Sequence, residues 1–125
     1  MAGPARIEHV NITTFHAARM EALLGDLCGW RRRWEGPSQS GGHSIHFGAE
    51  AQYLALYTPK EPEARTFAKG VPLNHIGIEV DDIDAAEAVV VAAGLVPFNH
   101  DDYEPGKRFY FLDWDGTEWE VVSYA

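Results

Sequence analysis

Ile7-Glu8-His9-Val10-Asn11-Ile12 and Leu73-Asn74-His75-Ile76-Gly77-Ile78 share one pattern, apolar-x-His-apolar-x-Ile, at an offset of 66 residues. Each reads as a half-buried strand, with alternating residues pointing to opposite faces. Val10 and Ile12, like Ile76 and Ile78, suit a face packed on a helix, which leaves His9 and His75 on the other. A recurrence of this kind signals an internal repeat, and the repeat decides the architecture.

Working outward, each strand is followed by a helix-like stretch. The first covers Phe15 to Leu27, with Thr13 or Thr14 as N-cap, and the second covers Ile83 to Ala93, with Asp81 or Asp82 as N-cap. Both stop at a glycine, in Cys28-Gly29-Trp30 and Ala93-Gly94-Leu95, where the left-handed conformation that ends a helix is accessible. Three short strands then follow in each half: Trp30–Glu35, Gly42–Phe47 and Gln52–Tyr57, and later Leu95–Phe98, Lys107–Leu112 and Glu118–Ser123. Asp115-Gly116 is the hairpin signal between the last two. The sequence therefore predicts an α+β fold of two tandem βαβββ modules in one domain, residues 1–125. Module one spans 5–57, a Pro/Gly-containing linker 58–71, and module two 72–125. Each sheet has one face on its helix and one free. On the last strand Trp119 and Val121 suit the helix, so Glu120 joins His9 and His75 on the free side.

At 125 residues the chain has room for one compact core and no second domain. Its single cysteine, Cys28, excludes an internal disulfide and reads as a small buried hydrophobe. Ten basic against nineteen acidic residues give a formal charge of −9, the wrong sign for a phosphate backbone, so no nucleic-acid partner is expected. The excess lies entirely in residues 67–125, with three basic and twelve acidic residues, whereas residues 1–66 carry seven of each. That half reads as a solvated acidic face. With neither a signal-peptide pattern at the N-terminus nor an apolar run of membrane-spanning length, a cytoplasmic location and no membrane partner are expected.

The tandem modules, the motifs around His9 and His75, and the closing run Phe109-Tyr110-Phe111-Leu112-Asp113-Trp114-Asp115-Gly116-Thr117-Glu118-Trp119-Glu120 together resemble the vicinal oxygen chelate superfamily. That family comprises glyoxalase I, bleomycin-resistance proteins, extradiol dioxygenases and fosfomycin-resistance thiol transferases. The resemblance implies a glyoxalase/dioxygenase-like half-open barrel. It also implies a divalent metal ion held by His9, His75 and Glu120: iron(II), manganese, nickel, cobalt or zinc. Two imidazoles and a carboxylate leave coordination positions open for a bidentate oxygen substrate, with the metal as Lewis acid. The function implied is metal-dependent dioxygenase or isomerase/lyase chemistry on a small molecule.

Departures from the family pattern narrow this. Ala55 stands where glyoxalase I has a carboxylate that is both ligand and base, so ordinary glyoxalase I chemistry is not expected. Asn11 replaces a threonine of the fosfomycin-type transferases. Tyr110, ten residues before Glu120, is the candidate catalytic proton donor or oxyanion partner, and Asn11, Tyr53, Ala55 and Tyr57 are candidate substrate-binding residues. His43 and His46 differ by three, so on a strand at most one faces the site. His100 falls in a polar stretch, Asn99–Gly106, read as an exposed loop, and His16 reads as surface. Open sheet edges favour pairing with a second copy, and the resemblance, through the four-module assembly of larger relatives, implies a homodimer with the site at or near its interface. The alternative is a metal-free binding protein of the bleomycin-resistance type, trapping a cationic ligand between aromatic and acidic walls.

Overall fold

The computed structural model describes residues 2–39, 41–61, 72–103 and 106–125, with backbone only at 102 and 103. The first half runs β1 (His9–Thr13), α1 (Ala17–Cys28), β2 (Arg31–Pro37), β3 (His43–Gly48) and β4 (Tyr53–Thr58). The second runs β5 (Ile76–Glu79), α2 (Ile83–Ala92), β6 (Phe98–Tyr103), β7 (Gly106–Leu112) and β8 (Glu118–Ser123). The chain divides into two compact units: Met1–Gly25 with Gly29–Glu63, and Asp26–Cys28 with Ala64–Ala125. Each carries one four-stranded mixed sheet, ordered β1-β4-β3-β2 in the first and β5-β8-β7-β6 in the second. The α+β βαβββ repeat expected from the sequence is therefore present.

The repeat extends to the hydrogen-bond register. In the first sheet Asn11 lies opposite Ala55, Ala55 opposite His46, and His46 opposite Trp34. In the second, Gly77 lies opposite Glu120, Glu120 opposite Tyr110, and Tyr110 opposite Phe98. A one-residue slip would turn every side chain to the other face, so this shared register places equivalent positions on equivalent faces. Met20 and Leu24 of α1 and Leu56 of β4 are fully buried, as are Val90 of α2, Phe109, Phe111, Trp119 and Val121. The Phe111 and Trp119 rings stack nearly parallel at 6.2 Å.

Helix ends show what the sequence rules caught and missed. Asp82 caps α2 as expected, its Oδ1 accepting from the Ala85 N–H at 3.0 Å. Gly29 and Gly94 close the helices with φ of 68° and 85°. The start of α1 is a correction. Its N-cap is His16, not Thr13 or Thr14, because the Thr14 hydroxyl is engaged two residues on, accepting from the His16 N–H at 3.0 Å, and the helix begins at Ala17.

A second correction concerns the expected loop Asn99–Gly106: its residues 99–103 belong to strand β6, Phe98–Tyr103, Gly106 opens β7, and residues 104 and 105 lie outside the described residues. A bulge between Phe98 and Asp101 accommodates the polar run, and Asn99 takes the left-handed conformation, φ 52°, that asparagine tolerates better than most residues. Of the expected linker, Thr58 belongs to β4, and residues 62–71 lie outside the described residues. The expected Asp115-Gly116 hairpin is a longer turn organised by Asp113. One carboxylate oxygen of Asp113 accepts from the N–H groups of Asp115 (2.9 Å) and Thr117 (3.0 Å), and the other accepts from the Trp119 indole at 3.0 Å. Burial pushes the Asp113 carboxyl above its ordinary range, against the pull of these three bonds.

Candidate functional site

In module two, the free face of the sheet brings His75, Glu120 and Tyr110 together. His75 immediately precedes β5, and its Nε2 lies 3.0 Å from Glu120 Oε1 on β8. Its Nδ1 lies 2.7 Å from Asn74 Oδ1. An amide oxygen can only accept, so the Nδ1 proton is committed there, and Nε2 faces the Glu120 carboxylate. The other Glu120 oxygen accepts from Arg108 Nη1 at 2.9 Å. Tyr110, cross-strand from Glu120, sets its ring edge-on to His75 with centroids 5.7 Å apart, and stacks on Phe98 at 6.1 Å. Glu118 is buried, with an oxygen 4.0 Å from His75 Nδ1.

In module one, the free face carries His9, Asn11, Tyr53, Ala55 and Tyr57 from the parallel pair β1–β4. Glu8 Oε1 lies 2.9 Å from His9 Nδ1, so the residue before each histidine of the repeat holds the same ring nitrogen. His9 stacks on Tyr53 at 4.9 Å, Tyr53 on His46 at 4.7 Å, and His46 meets Trp34 at 4.9 Å. Burial above all, with His9 and Arg33 adding to it, holds the His46 imidazole below its ordinary value. A cleft of about 530 Å³ opens here, lined by Asn11, Trp34, Ser44, His46 and Tyr57 among others. Ala55 is buried in the sheet.

Of the histidines left open by the sequence, His46 joins this face, whereas His43 is exposed and paired with Glu35 at 3.0 Å. His100 lies on β6, stacked on Phe109 at 6.0 Å and 2.7 Å from Glu87 Oε1. Arg108 and Arg33 were not anticipated. Strand alternation signals Arg108, two residues from Tyr110 on the same face, but Arg33 reaches the free face only through a bulge between Arg32 and Trp34. Among the described residues, no group of three or more His, Cys, Asp or Glu side chains stands together as a metal cage, and the set His9, His75 and Glu120 is divided between the two units.

The sequence model of the glyoxalase/bleomycin resistance protein/dioxygenase superfamily matches residues 8–111. The chain belongs to that superfamily. Among curated proteins no sequence matches it significantly. Solved structures of the superfamily share the fold at low identity. A glyoxylase/bleomycin resistance protein/dioxygenase domain from Frankia sp. EAN1pec superposes with a TM-score of 0.76 at 14% identity, covering 98% of each chain. The fosfomycin resistance protein FosX from Listeria monocytogenes, solved with Mn(II) and sulfate, gives 0.69 at 15% identity over 98% of this chain and 93% of its own. FosX from Mesorhizobium loti gives 0.67 at 21%, over 97% and 90%. Among the described residues of this superfamily member, no helix is long and apolar enough to cross a membrane.

Proposed function

We propose that the protein is a cytoplasmic metal-dependent enzyme of the superfamily, acting on a small oxygen-bearing molecule. His9, His75 and Glu120 hold a divalent ion: iron(II), manganese, nickel, cobalt or zinc. The observation that carries this reading is the matched pair of histidines. Each turns Nδ1 to the side chain before it, and His75 then sets Nε2 3.0 Å from a carboxylate oxygen. Two electron-rich groups at that distance call for a proton or a cation between them, and an Nδ1 partner is the customary orienting contact of a metal-bound histidine. The Mn(II) bound by Listeria FosX is in keeping with such a site.

When bound, the ion supplies Lewis acidity toward substrate oxygens. The chain's own residues do the rest. Asn11, Tyr53 and Tyr57 contact the substrate, Ala55 leaves it room, and Tyr110 donates a proton or hydrogen bond to a substrate oxygen. The reaction class is oxygenation of a ring or isomerase/lyase conversion. We propose further that two copies form a dimer in which one supplies His9 and the other His75 and Glu120.

Elemental mass spectrometry of protein purified without chelator or affinity tag tests the metal, on wild type and Glu120→Ala, with iron(II), manganese, nickel and zinc added back. Stoichiometric metal lost in the variant supports the reading. No metal in wild type after add-back overturns it in favour of a metal-free binding protein.

A further inference from the structure

The cleft of module one has a chemical character opposite to that of the chain. The protein carries a formal charge of −9, yet no carboxylate lines this cleft among the described residues. Its walls are the rings of Trp34, His46 and Tyr57, and between them stand neutral hydrogen-bonding groups: Asn11, Gln39, and the hydroxyls of Ser38 and Ser44, 2.7 Å apart. Trp34 is 48% exposed, so its indole is open to a ligand. Of the charged side chains that act on the His46 wall, the Arg33 guanidinium acts more strongly than the Glu8 carboxylate. The bulge at Arg33 turns two consecutive residues, Arg33 and Trp34, to the same face, and the Arg33 guanidinium lies 4.5 Å from the centre of the Tyr53 ring, itself stacked on His46. A cationic ligand would meet aromatic faces here but also a repelling guanidinium. An anionic flat ring would meet stacking surfaces, hydroxyl and amide partners and an opposite charge.

We infer that this cleft is the substrate subsite, and that it selects an aromatic ring bearing a carboxylate and a hydroxyl, with Trp34 stacking on the ring and Arg33 pairing with the carboxylate. This rests on the enzymatic reading above but names residues and a substrate class that the reading does not contain.

Calorimetric titration of metal-free, EDTA-dialysed protein with 4-hydroxybenzoate, phenol, benzylamine and cyclohexanecarboxylate tests it without any contribution from metal. 4-Hydroxybenzoate should bind most tightly. Trp34→Ala should weaken it at least tenfold and Trp34→Phe restore most of that. Arg33→Gln should bring 4-hydroxybenzoate down to the affinity of phenol while leaving phenol unchanged. Circular dichroism establishes that each variant is folded. Equal binding of benzylamine, undiminished binding by Trp34→Ala, or no binding by wild type overturns the inference. Metal content is read in a separate experiment, so loss of the metal reading and loss of this one are told apart.

Discussion

His75 Nε2 stands 3.0 Å from Glu120 Oε1, with its Nδ1 held 2.7 Å from Asn74 Oδ1, and the first module repeats the second contact with Glu8 and His9. The two halves of the repeat thus preserve a contact that orients the imidazole, not only the imidazole itself. Asn74→Ala and Glu8→Ala should each weaken divalent metal binding by roughly tenfold, because an unheld ring samples other orientations and tautomers. Competition titration with a chromogenic chelator and Mn(II) or Zn(II) measures this, and unchanged affinity in both variants would remove the orienting role.

Glu120 is shared between His75 and Arg108, whose Nη1 lies 2.9 Å from Glu120 Oε2. A guanidinium so close competes with an incoming cation for the same carboxylate. Arg108→Gln should therefore tighten metal binding about fivefold, corresponding to roughly 1 kcal/mol for one partly buried charge pair. The same titration reads it, and weaker binding would instead mean that Arg108 serves to fix the carboxylate in place.

Glycine at position 36 lets the Trp34 indole lie against the strand. A Cβ there would stand 2.6 Å from Trp34 Cζ2, inside any permitted contact. Gly36→Ala should displace the indole while the fold survives, since the obstruction is a half-exposed side chain and not backbone. Near-UV circular dichroism should change with the far-UV spectrum intact. An unaltered near-UV spectrum would show that the indole does not lie there.

Asp113 joins turn and core through three accepted hydrogen bonds, one of them from the fully buried Trp119. Asp113→Asn turns an NH2 group toward at least one of those donors and should cost about 1–3 kcal/mol. Burial raises the Asp113 carboxyl, so between the ordinary 3.8 and its folded value the folded state binds more protons than the unfolded. Its contribution is present below 3.8 and is lost as pH rises through the folded value. The stability difference between wild type and Asp113→Asn, followed by urea melts from pH 3.5 upward, should narrow as pH rises. A constant difference would contradict the raised pKa.

The repeat was legible because it is written twice in period-two alternation: His9 with Val10 and Ile12, and His75 with Ile76 and Ile78, specify both faces without tertiary information. Glu120 followed from Trp119 and Val121 in the same way. What escaped were the two bulges. Asn99 at φ 52° and the extra residue Arg33 break alternation, and a bulge leaves no periodic trace, so residues 99–103 of β6 read as part of a loop and Arg33 was not singled out. Arg108 shares a face with Tyr110 by alternation, but its pairing with Glu120 was not legible. Its role depends on the cross-strand register of β7 and β8, a non-local quantity that no single strand encodes.

Cys28, at the end of α1, is half-buried, and burial pushes its thiol up to about 12. The thiolate is the reactive form, so at neutral pH alkylation should run on the order of a thousandfold slower than for a thiol at the ordinary value of 9.0. The raised value also sets a sign for stability. Between 9.0 and about 12 the unfolded chain loses the thiol proton while the folded chain keeps it, so stability is present below 9.0 and is lost as pH rises through that window. Iodoacetamide labelling followed by mass spectrometry should show slow modification of the native protein at pH 7.5 and fast modification in guanidinium. Cys28→Ala should flatten the decline of melting temperature above pH 9. Rapid native labelling would mean that the thiol is reached and ionised where it sits, and Cys28 would no longer read as a small buried hydrophobe.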